Sequence, residues 1–132
     1  MLLVKTKLGQ SKIHGIGLFA DEFITKGTLV WKYVPGFDLK FTKEELEKFP
    51  PVAKDFVLNY AYLSKDTGYD ILCSDNARFY NHSENPNTAG IDLDGTENEG
   101  GDIAVSDIQI GEEITCDYRE MENDWERHLG KK

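Results

Sequence analysis

Cysteine is scarce in this chain: Cys73 and Cys116 are the only two among 132 residues. They form no C-x-x-C pair, and no Cys/His cluster has zinc spacing, so two buried reduced thiols and no metal site are expected. Long apolar runs are missing as well. None approaches the roughly 20 residues needed to cross a bilayer, so no membrane role is expected. Residues 1–10 carry Lys5 and Lys7 among their apolar positions and show no small-residue cleavage site. They do not read as a secretory signal, which points to the cytoplasm, or to the nucleus in a eukaryote. No basic stripe exists: 24 acids against 15 bases give a net charge of −9. Direct nucleic-acid binding is therefore not expected, whereas a basic protein partner suits the charge. Internal repeats and low-complexity linkers are absent. What remains is one domain over residues 1–132, 39% hydrophobic, long enough to bury roughly two thirds of its unfolded surface.

Local patterns predict short strands around a small helical insert. Residues 2–8 alternate apolar with Lys and Thr and read as a strand; residues 18–23 and 28–34 read as two more, joined by a turn at Ile24-Thr25-Lys26-Gly27. Thr42 followed by Glu45 is a capping-box pattern that opens a helix. Pro50-Pro51 ends it, and Pro51 is well placed to begin another. Val52, Phe56, Tyr60 and Leu63 then recur near the helical period, so the insert spans about residues 42–63. Residues 69–73, 90–93, 103–105 and 113–118 read as further strands, 85–90 as a turn, 94–101 as a hairpin tip, and 120–129 as a terminal helix. No strand–helix–strand alternation appears, which argues against a Rossmann-type cofactor fold.

Three segments could carry chemistry. His14-Gly15-Ile16-Gly17-Leu18-Phe19-Ala20 lies between strands, not before a helix, so its G-x-G is no phosphate cradle at a helix N-terminus. It can still let a ligand approach the backbone, or simply serve a tight turn. Arg78-Phe79-Tyr80-Asn81-His82-Ser83, followed by Pro86-Asn87, is either a polar turn bonded to itself or a platform for a small polar ligand. Gly111-Glu112-Glu113-Ile114-Thr115-Cys116-Asp117-Tyr118 reads alone as a hairpin turn and strand ending in a core tyrosine. Asp92-Leu93-Asp94-Gly95 hints at a calcium loop, but position six is Glu97 and position twelve is Ile103, so it is no EF-hand.

Taken together and in this order, G-x-G-L-F-A, R-F-x-N-H-S-x-x-P-N and G-E-E-I-x-x-D-Y resemble the SET-domain protein lysine methyltransferases, and the resemblance runs from about Lys5 to Tyr118. It implies a mainly β, β-clip-like fold of small sheets with a C-terminal pseudoknot and a short helical insert. The chain around Asn81 and His82 would lie beneath a loop near Tyr118. The implied cofactor is S-adenosylmethionine. Its methionine end would meet backbone at His14, Gly15, Ile16 and Gly17 and the side chain of Asn81; His82 would engage its adenine. Tyr62 falls where the family often has a wall tyrosine, though Tyr60 could serve instead. Tyr118 would be catalytic, with Tyr60, Tyr80 and Cys116 along the substrate channel. The implied substrate is a lysine in a basic protein, and the chain would act as a monomer or homodimer.

The departures are specific. Glu84 stands where the family's N-H-S-C has cysteine, and no Cys-rich segment follows Tyr118. Residues 119–132 or a second subunit would then complete the site, with Trp125 either stacking on adenine or packing in a terminal helix. A non-catalytic SET fold that only binds protein is the alternative reading, and the intact Asn81-His82 and Tyr118 argue against it.

Overall fold

The computed structural model describes residues 1–121, with side chains through residue 119. The strands are short and gather into four small sheets. In chain order they are β1 (Thr6–Gln10), β2 (Ile16–Ala20), β3 (Leu29–Lys32) and β4 (Leu39–Phe41), then helices α1 (Lys43–Glu47) and α2 (Pro51–Tyr60). After the helices come β5 (Tyr62–Leu63), β6 (Asp70–Leu72), a 3-10 turn at Asn76–Phe79, and β7 (Asn81–His82). The chain continues through β8 (Thr88–Ile91), β9 (Gly101–Ala104) and β10 (Thr115–Cys116) to a helical turn, α3 (Tyr118–Met121). Strands β1 and β2 form a hairpin, β3-β9-β8 and β4-β6-β5 are three-stranded antiparallel sheets, and β7 pairs with β10.

That last pair is the topological feature that matters most. It is parallel, with Asn81 opposite Thr115 and Cys116 opposite His82. A parallel pair needs a long crossover, and here β8 and β9 supply it. The side chain of Asn87 closes the crossing. Its Oδ1 accepts from the Thr115 amide at 2.9 Å, and its Nδ2 donates to the Glu113 carbonyl at 2.8 Å. The Thr88 hydroxyl adds a 2.7 Å bond to the Thr115 carbonyl. The mainly β fold with a pseudoknot is thus as expected.

The helical insert begins as the sequence indicates. Thr42 accepts from the Glu45 amide at 3.1 Å while Glu45 returns a bond to the Thr42 amide at 3.0 Å, a pairing that contributes about 1 kcal/mol. Helix α2 ends at Tyr60, not Leu63. The Tyr62–Leu63 segment turns extended to pair with β6, whose three residues are buried. Strand β1 starts at Thr6, four residues late. Leu2 instead bridges Trp31, so the alternating run is divided between two partners. Strand β4 and the 3-10 turn were not anticipated; a three-residue strand carries too little pattern to be read.

Leu18, Ile24, Val30, Ile71, Ile108 and Ile114 form the centre of the main core, each at most 1% exposed. Burying each stabilises the fold by about 1.5–3 kcal/mol relative to exposure. These residues come from β2, the turn after it, β3, β6 and the segment leading to β10, and Tyr80 of the second motif joins the same core, which fastens the three motifs together. A second, smaller cluster of Leu46, Val57, Ala61 and Leu72 seats the insert.

Candidate functional site

The G-x-G segment leads into β2, the buried strand of a hairpin whose loop is tied by Ser11, and β2 also bridges Glu113 on its other edge. The Ser11 hydroxyl oxygen accepts from the Ile13 amide at 2.9 Å and the His14 amide at 3.2 Å, and its hydrogen goes to Glu113, 2.7 Å from Oε1. Gly15 has φ +47, a conformation that side chains rarely adopt. Gly17 is required for a different reason. A Cβ there would lie 2.5 Å from Oε2 of Glu113 and 3.0 Å from Cβ of Ser11. The second glycine therefore makes room for a carboxylate of the third motif.

Asn81 joins all three motifs. It is 2% exposed, and its Nδ2 lies 3.1 Å from the His14 carbonyl, 3.3 Å from the Ile16 carbonyl and 2.9 Å from Oε2 of Glu113. The backbone acceptors and a carboxylate converge at one point. Asn81 Nδ2 itself occupies that point; the remaining lone pairs of the His14 and Ile16 carbonyls, with Asn81 Oδ1, could accept from the cationic amine of an amino-acid ligand.

On the other side of the parallel pair, the Tyr118 amide donates to Nδ1 of His82 at 3.1 Å, and the two rings lie 5.3 Å apart. The Tyr118 hydroxyl donates to the Tyr80 carbonyl at 2.6 Å. Tyr118 is 5% exposed, as the core-tyrosine reading also required, but its hydroxyl is fixed next to the second motif. Asp117 lies 3.6 Å from His82 Nδ1. The Arg119 guanidinium, through its hydrogen bond, holds the Asp117 carboxyl below its ordinary value.

Tyr62, Tyr80, Cys116 and Tyr118 all belong to or pack against the main core. Burial pushes the phenols of Tyr62 and Tyr80 well above their ordinary value, and the charge of Asp102 pushes in the same direction on both. Tyr60 is not with them. It packs against the insert's cluster, its ring tilted 5.0 Å from Phe56 and edge-on 5.7 Å from Phe79 of the second motif. Trp125 falls outside the described residues. Beside Tyr62 opens a cavity of about 550 Å³ lined by Trp31, Asp66, Asp92, Glu99 and Asp102. A second space of about 590 Å³ shares Asp66 and Asp92 and adds Asp94. Neither is lined by any Lys or Arg among the described residues.

The structure adds Ser11, Glu113 and Asp102, which the sequence reading left without a role. Glu112 and Glu113 are adjacent, and only the course of the chain shows which one turns inward. Asp102 sits in an apolar-looking strand where burial of an acid has no sequence signal. Among the described residues no group of three His, Cys, Asp or Glu side chains gathers as a metal site, and no helix is long and apolar enough to cross a membrane.

The profile of the SET domain family matches residues 15–119, which is most of the chain and contains all three motifs: the chain belongs to the SET-domain family. Over 118 residues it is 36% identical to Histone-lysine N-methyltransferase set1 of Dictyostelium discoideum, covering 87% of this chain and 8% of that protein. Over 114 residues it is 32% identical to Histone-lysine N-methyltransferase, H3 lysine-36 specific, of Debaryomyces hansenii, covering 83% of this chain and 15% of that protein. The chain thus spans a small part of the length of the curated relatives it matches. Its fold is similar to a chain of a humanized mutant of the Chaetomium thermophilum Polycomb Repressive Complex 2, with a TM-score of 0.65 and 22% identity over 96% of this chain and 16% of that one.

Proposed function

We propose that this chain is a protein-lysine methyltransferase that takes its methyl group from S-adenosylmethionine. The observation that carries the reading is the meeting of three distant motifs at Asn81, one parallel strand pair away from Tyr118. His14, Ile16 and Asn81 would hold the amino-acid end of the cofactor, and His82 the adenine side. When bound, S-adenosylmethionine supplies an electrophilic methyl group.

The protein's own part is to present a neutral amine in line with that group. A lysine amine has a pKa near 10.4, so neutralising it at pH 7 costs about 4.6 kcal/mol. Burial among Tyr62, Tyr80, Cys116 and Tyr118 removes water from the ammonium and favours the neutral form. Tyr118, its hydroxyl bonded to the Tyr80 carbonyl, orients the amine, and the rate gain is alignment and preorganisation.

The substrate is a basic protein segment, histone-like in charge. An acid-lined space beside Tyr62 and a second one that shares Asp66 and Asp92 with it support this, and so does a net charge of −9. Carboxylates would gather the cationic segment, and the tyrosines would receive one side chain from it.

Calorimetry with S-adenosylmethionine on wild type and Asn81→Ala tests the site. Binding by wild type, weakened at least tenfold in the folded variant, is the expected result; a folded wild type that does not bind ends the proposal.

A further inference from the structure

We infer that Glu113 is a positioning residue for the proposed cofactor site, fixing the side-chain amide of Asn81 so that its oxygen is the atom offered to a cationic ligand. This rests on the reading of that site given above. The two ends of an asparagine amide are interchangeable in shape, and only their partners decide which way it faces. Asn81 has backbone carbonyls at two contacts, and these favour its NH₂ there. Glu113 adds a third acceptor at 2.9 Å on the same nitrogen. An amide oxygen turned to that place would meet a carboxylate and two carbonyls, with no hydrogen between any of them. The nitrogen is therefore held, and the oxygen accepts no hydrogen bond among the described residues.

The same geometry explains why residue 113 must be an acid and not its amide. Both lone pairs of the Ser11 hydroxyl are used by the Ile13 and His14 amides, so toward Glu113 it can only donate. Asn81 Nδ2 can only donate too. The Ser11 hydroxyl reaches both oxygens, 2.7 Å from Oε1 and 2.9 Å from Oε2, so a glutamine oxygen at the Oε2 place could accept from both donors only with its NH₂ pressed against the Ser11 oxygen, whose lone pairs are taken. A glutamine must otherwise turn its NH₂ toward one of the two donors, which either releases Ser11 and its loop or reverses Asn81. Gly17 completes the arrangement, since the volume its Cβ would fill is taken by this carboxylate.

One carboxylate thus couples the loop conformation to the chemical identity of the atom that Asn81 presents. With Asn81 oxygen and the carbonyls of His14 and Ile16, the site offers acceptors only, matching a ligand group that only donates. The two Nδ2 hydrogens are shared among three acceptors, so capacity to bond a cation remains.

A double-variant cycle tests the assignment: Glu113→Gln, Asn81→Asp and the two combined, each measured for thermal unfolding and for calorimetric binding of S-adenosylmethionine. Glu113→Gln, still folded, is expected to weaken binding tenfold or more. In the combined protein the glutamine NH₂ can donate to one oxygen of the carboxylate introduced at position 81 and leave the other for the ligand. Its affinity should therefore exceed the product of the two single effects by at least fivefold. Additive losses, or a folded Glu113→Gln that binds as wild type does, would overturn the role of Glu113. Nitrogen-15 spectra of the Asn81 side chain without ligand give a second reading. The amide signals should move in Glu113→Gln, and unchanged signals also overturn it. Failure of wild type to bind S-adenosylmethionine while those signals move as expected overturns the reading of the pocket instead.

Discussion

The backbone amide of Tyr118 is bonded to the imidazole of His82, 36 residues earlier in the chain. The bond crosses the parallel strand pair and sets where the phenol of Tyr118 begins. It requires a lone pair on Nδ1, so the ring hydrogen of neutral His82 is on Nε2. Replacing His82 by Ala leaves the Tyr118 amide without that partner. The expected loss of stability is about 1–3 kcal/mol, read by urea unfolding, together with a fall in turnover larger than that from any change in cofactor affinity. Wild-type turnover in folded His82→Ala would show that this bond does not position Tyr118.

The buried phenols predict a loss of stability at high pH. Burial, then the charges of Glu97, Glu99 and Asp38, push Tyr33 up to about 12, and Tyr62 and Tyr80 also lie well above the ordinary 10. Above pH 10 the unfolded chain releases these protons while the folded one retains them. Stability from this source is therefore complete below pH 10 and is lost as pH rises toward 12. Each such group contributes a slope of about 1.4 kcal/mol per pH unit in that window. Tyr33→Phe gives up only a 3.5 Å bond to the Asp38 carbonyl, and its urea midpoint should fall less steeply between pH 10 and 12. Identical slopes would show that Tyr33 ionises as it does in the unfolded chain.

Cys116 stands two residues before Tyr118, where the family often has Phe or Tyr, and it is 2% exposed. A smaller side chain there leaves room for a methylated amine to turn and react again. Wild type should therefore carry a peptide lysine past one methyl to two or three, seen by mass spectrometry over a full time course with excess cofactor. Product that stops at one methyl contradicts the argument from size.

The acid-lined spaces predict how substrate is captured. Asp92→Asn with Glu99→Gln should raise KM for a Lys/Arg-rich peptide about three- to tenfold with little change in kcat. The difference from wild type should shrink as salt screens the charges. A salt-independent KM, equal in the two proteins, would remove these residues from substrate capture.

Much of the fold was legible because its signals are local. The capping box of Thr42 and Glu45 depends on residues three apart, and the pattern marks it directly. The parallel pairing of Asn81 and His82 with Thr115 and Cys116 has no such signature. A two-residue strand shows no alternation, and its partner lies beyond a whole antiparallel sheet; only resemblance to a family anticipated it. The site divides in the same way. Gly17 reads in the sequence as a place where a ligand can approach the backbone; that the Glu113 carboxylate takes the volume its Cβ would fill is a tertiary contact that composition cannot announce. The resemblance points to Tyr62 as the wall tyrosine with Tyr60 as the alternative, and where each ring goes depends on α2 ending at Tyr60, which places Tyr60 by the insert cluster and Tyr62 against the main core.

Methyl transfer itself tests the account most directly. Wild type and Tyr118→Phe are incubated with methyl-labelled S-adenosylmethionine and purified core histones, and the product is digested and read by mass spectrometry. The lost hydroxyl gives up one bond to the Tyr80 carbonyl, so the variant should fold and bind cofactor. Its turnover should fall by about a hundredfold or more. Label is expected on lysine side chains with wild type and nearly none with Tyr118→Phe. Cofactor binding with no methyl-lysine from wild type, or equal labelling by the two proteins, would contradict it.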